Sequence, residues 1–442
     1  MVDKQKDRHC SRWPFAIIAV LTMVIGFFMF AAGYILGMSS MLIFFILFSV
    51  VLWVAPPKFL ISPLSIIYGY YFLWFLVAPT FAEIYTNDDF SSASYYLAYQ
   101  MIFATYFVAV LGAIKGEKSC VNSLITESID KYYSTRIFFL LTVFLYLFSS
   151  VLLLMIVISS GGVGVWIKDP GDAFLNRQGS GIYVVLSHFT TFCLASLIGY
   201  RSYTSGKKFP LLIFFSWLFL TSPVHGSKGL VALILILSMT PWLINMKILT
   251  SAAIKLIAVL FGIFFFGLYL RNTSWMTFQD AVPYALNYFT ALRNLILLLS
   301  DFDPDFLTTF FLPFNKFLQP VGWSDLSIYF DMNHMLTDKY FPTAWAIRAT
   351  EQWPVEADLY LNFYFFFGLP LIFIYTYLIG RFYGKARMGE NCGLWIVAML
   401  LMGSIVSHFR GSLINHLDFY LYPMFIVIYL LFRRLSFADR PL

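Results

Sequence analysis

Hydrophobic residues in this chain occur in long unbroken runs rather than in strand-sized alternating segments. Each run is long enough for a helical crossing of a bilayer, which takes about twenty apolar residues. A membrane barrel would instead require short alternating segments. The pattern predicts about twelve transmembrane helices, at 15–36, 39–55, 60–81, 95–114, 137–160, 181–200, 210–224, 229–246, 254–270, 358–380, 393–409 and 414–432.

One long stretch, residues 271–357, is too polar for a bilayer and mixes acidic, basic and aromatic residues. Such a loop is a common place for functional residues on a helical scaffold. Within it, residues 281–300 are apolar but contain Arg293, so we expect a re-entrant or interfacial helix there. The predicted organisation is nine helices in 1–270, the loop in 271–357, and three helices with a tail in 358–442.

Composition supports an all-α polytopic membrane protein, because 60% of the residues are hydrophobic and only 12% are charged. The net charge of +6 does not indicate nucleic-acid binding, since the basic residues lie at the ends of the predicted spans. The four cysteines lack a metal-binding spacing. The alternating carboxylates of Asp301–Asp305 either bind a divalent metal or form a solvated turn, and we expect the turn. We therefore expect no metal, no cofactor and no nucleic-acid partner.

The distribution of charge predicts the orientation of the chain. A cytoplasmic N-terminus places 20 of the 29 Lys and Arg residues inside and 16 of the 23 acidic residues outside. Basic residues favour the cytoplasmic side of a membrane. Both termini are therefore predicted to be cytoplasmic, with the long loop outside between helices 9 and 10.

Two predicted turns on the outer face are tight. The two spans within 211–246 share about 36 residues, or about 54 Å of helix, for two crossings of about 30 Å each. The turn between them, which contains Lys228, should therefore lie at headgroup depth. The turn His408–His416 is equally short and presents Arg410 at the same face.

Several outward cations lie at or next to span ends, and an anionic ligand would explain the set, because charges near hydrocarbon cost a few kcal/mol unless paired. Arginine grips phosphate through paired hydrogen bonds, whereas lysine supplies a point charge. The ordinary structural explanation is extension toward headgroups or pairing with aspartates such as Asp418. These cations are Arg177, Lys228, Arg293 and Arg410.

Four residues on the outer face are candidates for acid or base chemistry. Glu356 starts a predicted span, where a carboxylate either complements the helix N-terminus or, partly desolvated, serves as a general base. Asp418 lies near the outer end of the last span and is a functional candidate unless Arg410 pairs with it. His408 and His416 are each either an acid or base or a satisfied polar residue.

The pattern resembles the Wzy-type oligosaccharide repeat-unit polymerases. The matching features are about twelve spans with both ends inside and a long outward loop before the last three helices. Three short motifs also match: Gly226-Ser-Lys-Gly229 opening a span, the Arg410-Gly411 turn, and the loop sequence Phe311-Leu-Pro-Phe314. Lys228 departs from the family, which often has Gly-Ser-Arg-Gly at the first motif.

The resemblance implies a glycosyltransferase of the bacterial inner membrane that assembles O-antigen or a related surface polysaccharide. It would transfer the growing glycan from undecaprenyl pyrophosphate to the non-reducing end of a new lipid-linked unit. Arg177, Lys228 and Arg410, with Arg293 as a fourth candidate, would bind the pyrophosphate, while Glu356, His408 or Asp418 would activate the acceptor. The expected partners are undecaprenyl-pyrophosphate-linked oligosaccharides and membrane lipids, and a separate chain-length regulator stays an open alternative.

Other functions fit the same topology. An O-antigen ligase would use the same donor but deliver the finished polymer to a core lipid. A flippase or other transporter would also have about twelve spans, although transporters place polar groups at mid-membrane and show related halves. Here the polar residues gather at one face, which favours chemistry at that face.

Overall fold

The computed structural model of this protein describes most of the chain, with gaps. The described residues are 12–119, 135–168, 173, 181–225, 228–248, 250–251, 253–255, 257–259, 261–262, 285–318, 329–346, 350–389 and 391–435, without the side chains of 12–19, 135–137 and 228. Within these residues the fold is all helical and contains no strand, only an isolated antiparallel bridge between Phe59 and Lys247.

Nine of the helices that the structure describes precede the polar loop. They are α1 (Arg12–Ile35), α2 (Ser40–Val54), α3 (Pro63–Phe81), α4 (Ala93–Ser119), α5 (Thr135–Ser159), α6 (Val163–Lys168), α7 (Gly181–Ser205), α8 (Phe209–His225) and α9 (Lys228–Leu243). The loop and the C-terminal part follow. They contain α10 (Ala291–Asp301), α11 (Asn315–Leu318), α12 (Met332–Tyr340), α13 (Pro342–Ala346), α14 (Val355–Phe363), α15 (Leu369–Met388), α16 (Cys392–Phe409) and α17 (Asp418–Phe432).

Within the described residues, six helical segments are long and apolar enough to cross a membrane: Pro63–Phe81, Ala93–Ser119, Phe138–Ser159, Gly181–Ser205, Phe366–Met388 and Cys392–Phe409. Five further apolar helices are shorter, including α8 and α9, whose 17 and 16 residues give about 25 Å each. Helices occupy the predicted spans except 254–270, most of which lies outside the described residues. The count of twelve crossings and the inside-outside assignment stay predictions.

The predicted span 358–380 is divided. Helix α14 ends at Phe363, and the backbone turns through Tyr364 and Phe365 with φ values of 47° and 65° before α15 begins. Non-glycine residues seldom adopt positive φ, and the conformation costs about 1 kcal/mol or more. Five aromatic residues at 363–367 keep this segment apolar, so hydrophobicity alone does not reveal the break.

Loop residues stabilise the end of α14. The backbone N–H of Leu307 donates to the Asn362 carbonyl at 3.1 Å, and that of Thr309 donates to the Asn362 side-chain oxygen at 2.7 Å. The Phe365 N–H returns to the Leu359 carbonyl at 2.8 Å. These bonds satisfy groups that a helix end leaves unpaired, so the loop fixes where α14 stops.

The segment predicted as a re-entrant or interfacial helix contains α10, whose 11 residues extend about 16 Å. This length is too short to cross a bilayer. Ala291, Leu292, Leu295 and Leu298 are buried, whereas Arg293 is exposed. The helix is therefore amphipathic, and its position relative to a membrane stays a prediction.

The closest helix pairing in the core joins α4 to α15, which run parallel. A Cβ atom at Gly116 would overlap the Tyr377 carbonyl oxygen, and one at Gly112 would lie 2.6 Å from the Phe373 carbonyl oxygen. Gly380 likewise faces the backbone of Ala113. Small residues four apart let helix backbones approach closely in a membrane protein. We call this contact the glycine seam.

Candidate functional site

The polar residues singled out from the sequence gather where α14 and α3 meet the turn 410–417, which joins α16 to α17. The Tyr70 hydroxyl of α3 donates to the Phe409 carbonyl at the end of α16. The Leu413 N–H donates to the Asp358 carboxylate of α14 at 3.0 Å. We call this region the polar end.

Glu356 lies in the first turn of α14 and is fully buried, with 0% of its surface exposed. The Tyr71 hydroxyl donates to its Oε1 at 3.0 Å. Its Oε2 has no hydrogen-bond partner among the described residues, because the nearby Thr105 hydroxyl donates to the Met101 carbonyl instead. An unpaired buried carboxylate oxygen is costly, so this residue is a functional candidate.

Burial raises the pKa of Glu356 to about 8, against a smaller opposing contribution from hydrogen bonds such as the one from Tyr71. At neutral pH this carboxyl is therefore mostly protonated. The sequence predicted a partly desolvated acid at the water boundary. The structure instead places Glu356 beneath the surface, so a substrate reaches it only if α14 or the turn moves.

Asp358 ties α14 to the turn. Its Oδ1 accepts a hydrogen bond from the Asn362 amide at 2.8 Å, and its Oδ2 accepts the Leu413 N–H. Both carboxylate oxygens are thus engaged, and Asp358 holds the helix that carries Glu356 against the turn that carries Arg410.

His408 and Asp418 form a buried pair across the turn. The Nε2 atom of His408 lies 3.0 Å from both Asp418 oxygens, and its Nδ1 lies 2.6 Å from the Tyr375 hydroxyl. The Asn415 N–H also donates to Asp418 at 2.8 Å. Because a carboxylate only accepts, the neutral imidazole carries its hydrogen on Nε2 and accepts from Tyr375. The alternative pairing of Asp418 with Arg410 is wrong: His408 fills that position.

Arg410 caps the end of α16 and is half-buried. Among the described residues no carboxylate lies within ion-pair distance of it. Its guanidinium lies 6.0 Å from the centre of the Tyr288 ring, and both Arg410 and Glu356 are within electrostatic range of the Tyr70 hydroxyl. Arg410 therefore presents a positive charge at the polar end that no described acid neutralises.

Arg293 lies farther along α3. It is exposed on α10 and is close to Tyr85, beyond the C-terminal end of α3, whereas Arg410 is close to Tyr70 in the middle of that helix. The rise between Phe81 and Tyr70 alone is about 16 Å. The structure thus does not bring Arg293 and Arg410 together at one small anion.

The other two predicted cations are described only in part. Arg177 lies outside the described residues, as do Gly226 and Ser227. Lys228 begins α9, but its side chain is not described. A Cβ at Gly403 of α16 would lie 3.0 Å from Leu233 of α9, which places the start of α9 at the same end of the bundle as Arg410.

A second polar cluster joins the loop to the turn. Asp331 caps α12 by accepting the His334 N–H at 2.9 Å. Its other oxygen lies 3.4 Å from His416 Nδ1 and 3.8 Å from His334 Nε2. A Cβ at Gly411 would lie 3.1 Å from the Asn333 amide. Helix α12 therefore packs directly on the turn that carries Arg410 and His416.

Aromatic residues of the loop extend this contact. Phe314 and Phe317, at and just after the Phe311–Phe314 sequence, lie 5.2 Å and 4.9 Å from the Phe419 ring at the start of α17. Tyr329 and His334 both contact the Trp345 ring. The loop thus brings the exposed rings of Phe314 and Phe317 and the half-buried rings of Tyr329 and Trp345 to the polar end.

The acidic turn Asp301–Asp305 does not form a carboxylate cluster. Asp301 is exposed and pairs with Lys339 at 3.2 Å, which lowers the pKa of Asp301. Lys339 also lies over the rings of Phe302 and Tyr340. In the part of the chain that the structure describes, no three acidic, histidine or cysteine side chains are arranged to hold a metal ion.

Sequence reasoning did not single out several residues that complete the site. Tyr71 and Tyr375 lie inside apolar spans, and Asp331 was one of many polar loop residues. Their partners are 285, 33 and 85 positions away in Glu356, His408 and His416. In the sequence, the one feature that could have pointed to the two tyrosines was a hydroxyl group within an otherwise apolar span.

Comparison of the chain with protein-family models, curated proteins and solved structures found no match.

Proposed function

We propose that this protein polymerises lipid-linked oligosaccharide repeat units at the outer face of the bacterial inner membrane. The growing glycan moves from undecaprenyl pyrophosphate to the non-reducing-end sugar of a new lipid-linked unit. No nucleotide sugar is needed, because the pyrophosphate ester supplies the leaving group. The product is an O-antigen or a related surface polysaccharide.

The observation that supports this proposal is the arrangement of Arg410 and Glu356 next to Tyr70 and Tyr71, near the middle of α3. Glycosyl transfer from a pyrophosphate donor develops negative charge on the leaving group and requires proton removal from the acceptor hydroxyl. Arg410 is a cation that no described acid neutralises, and Glu356 is a buried acid with a free oxygen. Both residues border α3 next to the loop that would hold the sugar.

Arg410 is the first candidate for contact with the pyrophosphate. Lys228 joins it as the cation at the start of α9, and Arg177 stays a candidate from the sequence. Arg293 is a better candidate for a more distant part of the substrate. It lies beyond the C-terminal end of α3, whereas Arg410 lies near the middle of that helix.

Among Glu356, His408 and Asp418, Glu356 is the one with an unpaired oxygen, but it is sealed from water and mostly protonated at neutral pH. None of the three is therefore placed to accept the proton of the acceptor hydroxyl in this conformation. Both nitrogens of His408 and both oxygens of Asp418 are engaged by protein groups. They hold the turn in place and support Arg410. Only Glu356 retains an oxygen without a partner.

A ligase would use the same donor and is the second candidate function. The two differ in the acceptor, which is a lipid-linked unit for a polymerase and a core lipid for a ligase. A transporter of lipid-linked oligosaccharides is the third.

The test is the lipopolysaccharide banding pattern of a strain that lacks this protein. A polymerase leaves core lipid bearing one repeat unit in place of a ladder. A plasmid copy of the parent restores the ladder, whereas Arg410→Ala restores little of it, and Asp303→Asn on the exposed loop serves as a matched control that restores it fully. Core lipid with no repeat unit would instead indicate a ligase or a flippase, and an unchanged ladder would contradict the proposal.

A further inference from the structure

His416 differs from Glu356, His408 and Asp418 in how its ring is held. Its Nδ1 is buried and lies 3.4 Å from Asp331 Oδ2 without forming a hydrogen bond, and no described residue binds its Nε2. The side chain is 16% exposed, whereas Glu356 is sealed. A histidine with one nitrogen facing a carboxylate and the other unoccupied has the arrangement of a general base oriented by an acid.

The distance of 3.4 Å is longer than a well-formed hydrogen bond. Such bonds are commonly long without substrate and shorten in the reactive complex. The ring is also confined by its neighbours, because Phe330 and His334 lie 6.0 Å and 5.9 Å from it, centre to centre. Binding of a sugar against the loop would therefore need only a small adjustment to form the bond.

The charged groups around Asp331 keep its carboxylate ionised, so that it can accept a hydrogen bond from His416. Burial would raise the pKa of Asp331, but the contacts from His416 and His334 outweigh burial and lower it, so the carboxylate is ionised at neutral pH. Burial also lowers the pKa of His334, and the positive charge of nearby Lys316 acts in the same direction. His334 is thus neutral at neutral pH, and Asp331 stabilises a single imidazolium.

His416 and Arg410 belong to the same turn between α16 and α17. Glycosyl transfer requires a cation at the leaving pyrophosphate and a base at the attacking hydroxyl, on either side of one anomeric carbon. An eight-residue turn that is fixed by His408, Asp358 and Asp418 is a rigid support for the pair. No other described histidine combines these properties.

We propose that His416, oriented by Asp331, is the general base that activates the acceptor hydroxyl, an inference that rests on the polymerase function proposed above. The acceptor proton moves to His416 Nε2 while the acceptor oxygen bonds to the anomeric carbon of the donor sugar. The bond from that carbon to the pyrophosphate oxygen breaks, and its electron pair leaves on undecaprenyl pyrophosphate. Arg410 stabilises the negative charge of that leaving group.

The test measures polymerisation by the purified full-length protein in vesicles that contain undecaprenyl-pyrophosphate-linked repeat units, at several pH values. We expect His416→Gln to lower the turnover rate about 100-fold or more, the usual size of a general-base contribution, with little change in KM for the lipid-linked unit. The parent should lose activity as pH falls, because only a neutral imidazole accepts a proton, and the remaining activity of His416→Gln should lack that dependence.

Asp331→Asn should lower the rate about tenfold or more, since an amide does not hold the ring in the required tautomer or stabilise the imidazolium. His188→Gln and Asp303→Asn are matched controls away from the turn and should keep the parent rate. Thermal unfolding of each variant separates loss of chemistry from loss of folding. A folded His416→Gln variant with the parent rate and pH profile overturns the role of His416, whereas a parent protein that forms no polymer overturns the polymerase function itself.

Discussion

The glycine seam and the polar end are two ways of joining helices in this protein. At the seam, α4 and α15 meet through Gly112, Gly116 and Gly380, and backbone atoms fill the space. At the polar end, α14 and the turn meet through ionisable side chains with little exposure to water, including Glu356 and Asp358.

The glycine seam and the polar end differ in the free energy of the groups that they bury. Close backbone packing stabilises helix pairs in a membrane without a charged group, so the seam needs only small residues. Burying carboxyl groups is unfavourable unless each is paired and hydrogen-bonded. The chain joins α4 and α15 through small residues, yet it joins α14 to the turn through buried carboxyl groups. Stability does not explain the buried carboxyl groups, and we infer that they serve chemistry.

The largest effect is expected from filling the seam. Gly116→Leu places a side chain where the backbone of Tyr377 and Arg381 lies, so α4 and α15 must separate. Overpacking of a close contact costs about 1–3 kcal/mol and more when the obstacle is backbone. Thermal unfolding of the purified protein should show a large fall in midpoint. Gly69→Ala on α3 has open space around it and should change the midpoint little; equal effects of the two changes would contradict the seam.

The next effect is expected from the buried pair at the polar end. His408→Leu leaves the Asp418 carboxylate without its main partner in a site that is only 7% exposed. Loss of one member of a buried pair costs about 3 kcal/mol. His408→Gln retains a donor for Asp418 and should recover part of that loss. If His408→Leu and His408→Gln unfold at the same temperature as the parent, the pair does not hold the turn.

A pH effect on stability is expected at Glu356. Its pKa is about 8 in the folded protein and 4.5 when unfolded. Because the folded state binds the proton more tightly, the contribution of Glu356 to stability is greatest below pH 4.5, falls by about 1 kcal/mol per pH unit until about pH 8, and then levels off.

Glu356→Gln removes the ionisation and should flatten the dependence of the unfolding midpoint on pH between 5 and 8. The measurement is thermal unfolding of parent and variant in detergent at each pH. Asp303→Asn, an exposed acid on the loop, is the matched control and should keep the slope of the parent. A parent protein whose stability rises across this range would show that Glu356 is ionised when folded.

The sequence was sufficient for the elements that repeat a simple pattern. Long apolar runs predicted α2, α4 and α16 to within a few residues, and the short turn after His408 was anticipated. It was not sufficient for the break at Tyr364, because its aromatic neighbours hide a change of direction. It was also not sufficient for the pairing of Asp418, because both His408 and Arg410 are close to Asp418 in the sequence. In the structure His408 is the partner of Asp418, and its other nitrogen is held by Tyr375.

The smallest effect is expected at the surface of the loop. Asp301 and Lys339 form an exposed ion pair, and such pairs contribute little because water and salt screen them. Asp301→Asn should leave both the unfolding midpoint and polymerisation unchanged. A large loss of activity in this variant would indicate that the loop, and not the polar end, contains the reacting groups.

Polymer formation by the purified protein, in vesicles supplied only with undecaprenyl-pyrophosphate-linked repeat units, is the decisive measurement of polymerase activity. We expect a ladder of longer lipid-linked glycans without any nucleotide sugar, and a strongly reduced ladder for folded Arg410→Ala. Recovery of single repeat units alone, from a protein that is folded and inserted, would show that the protein is not a polymerase.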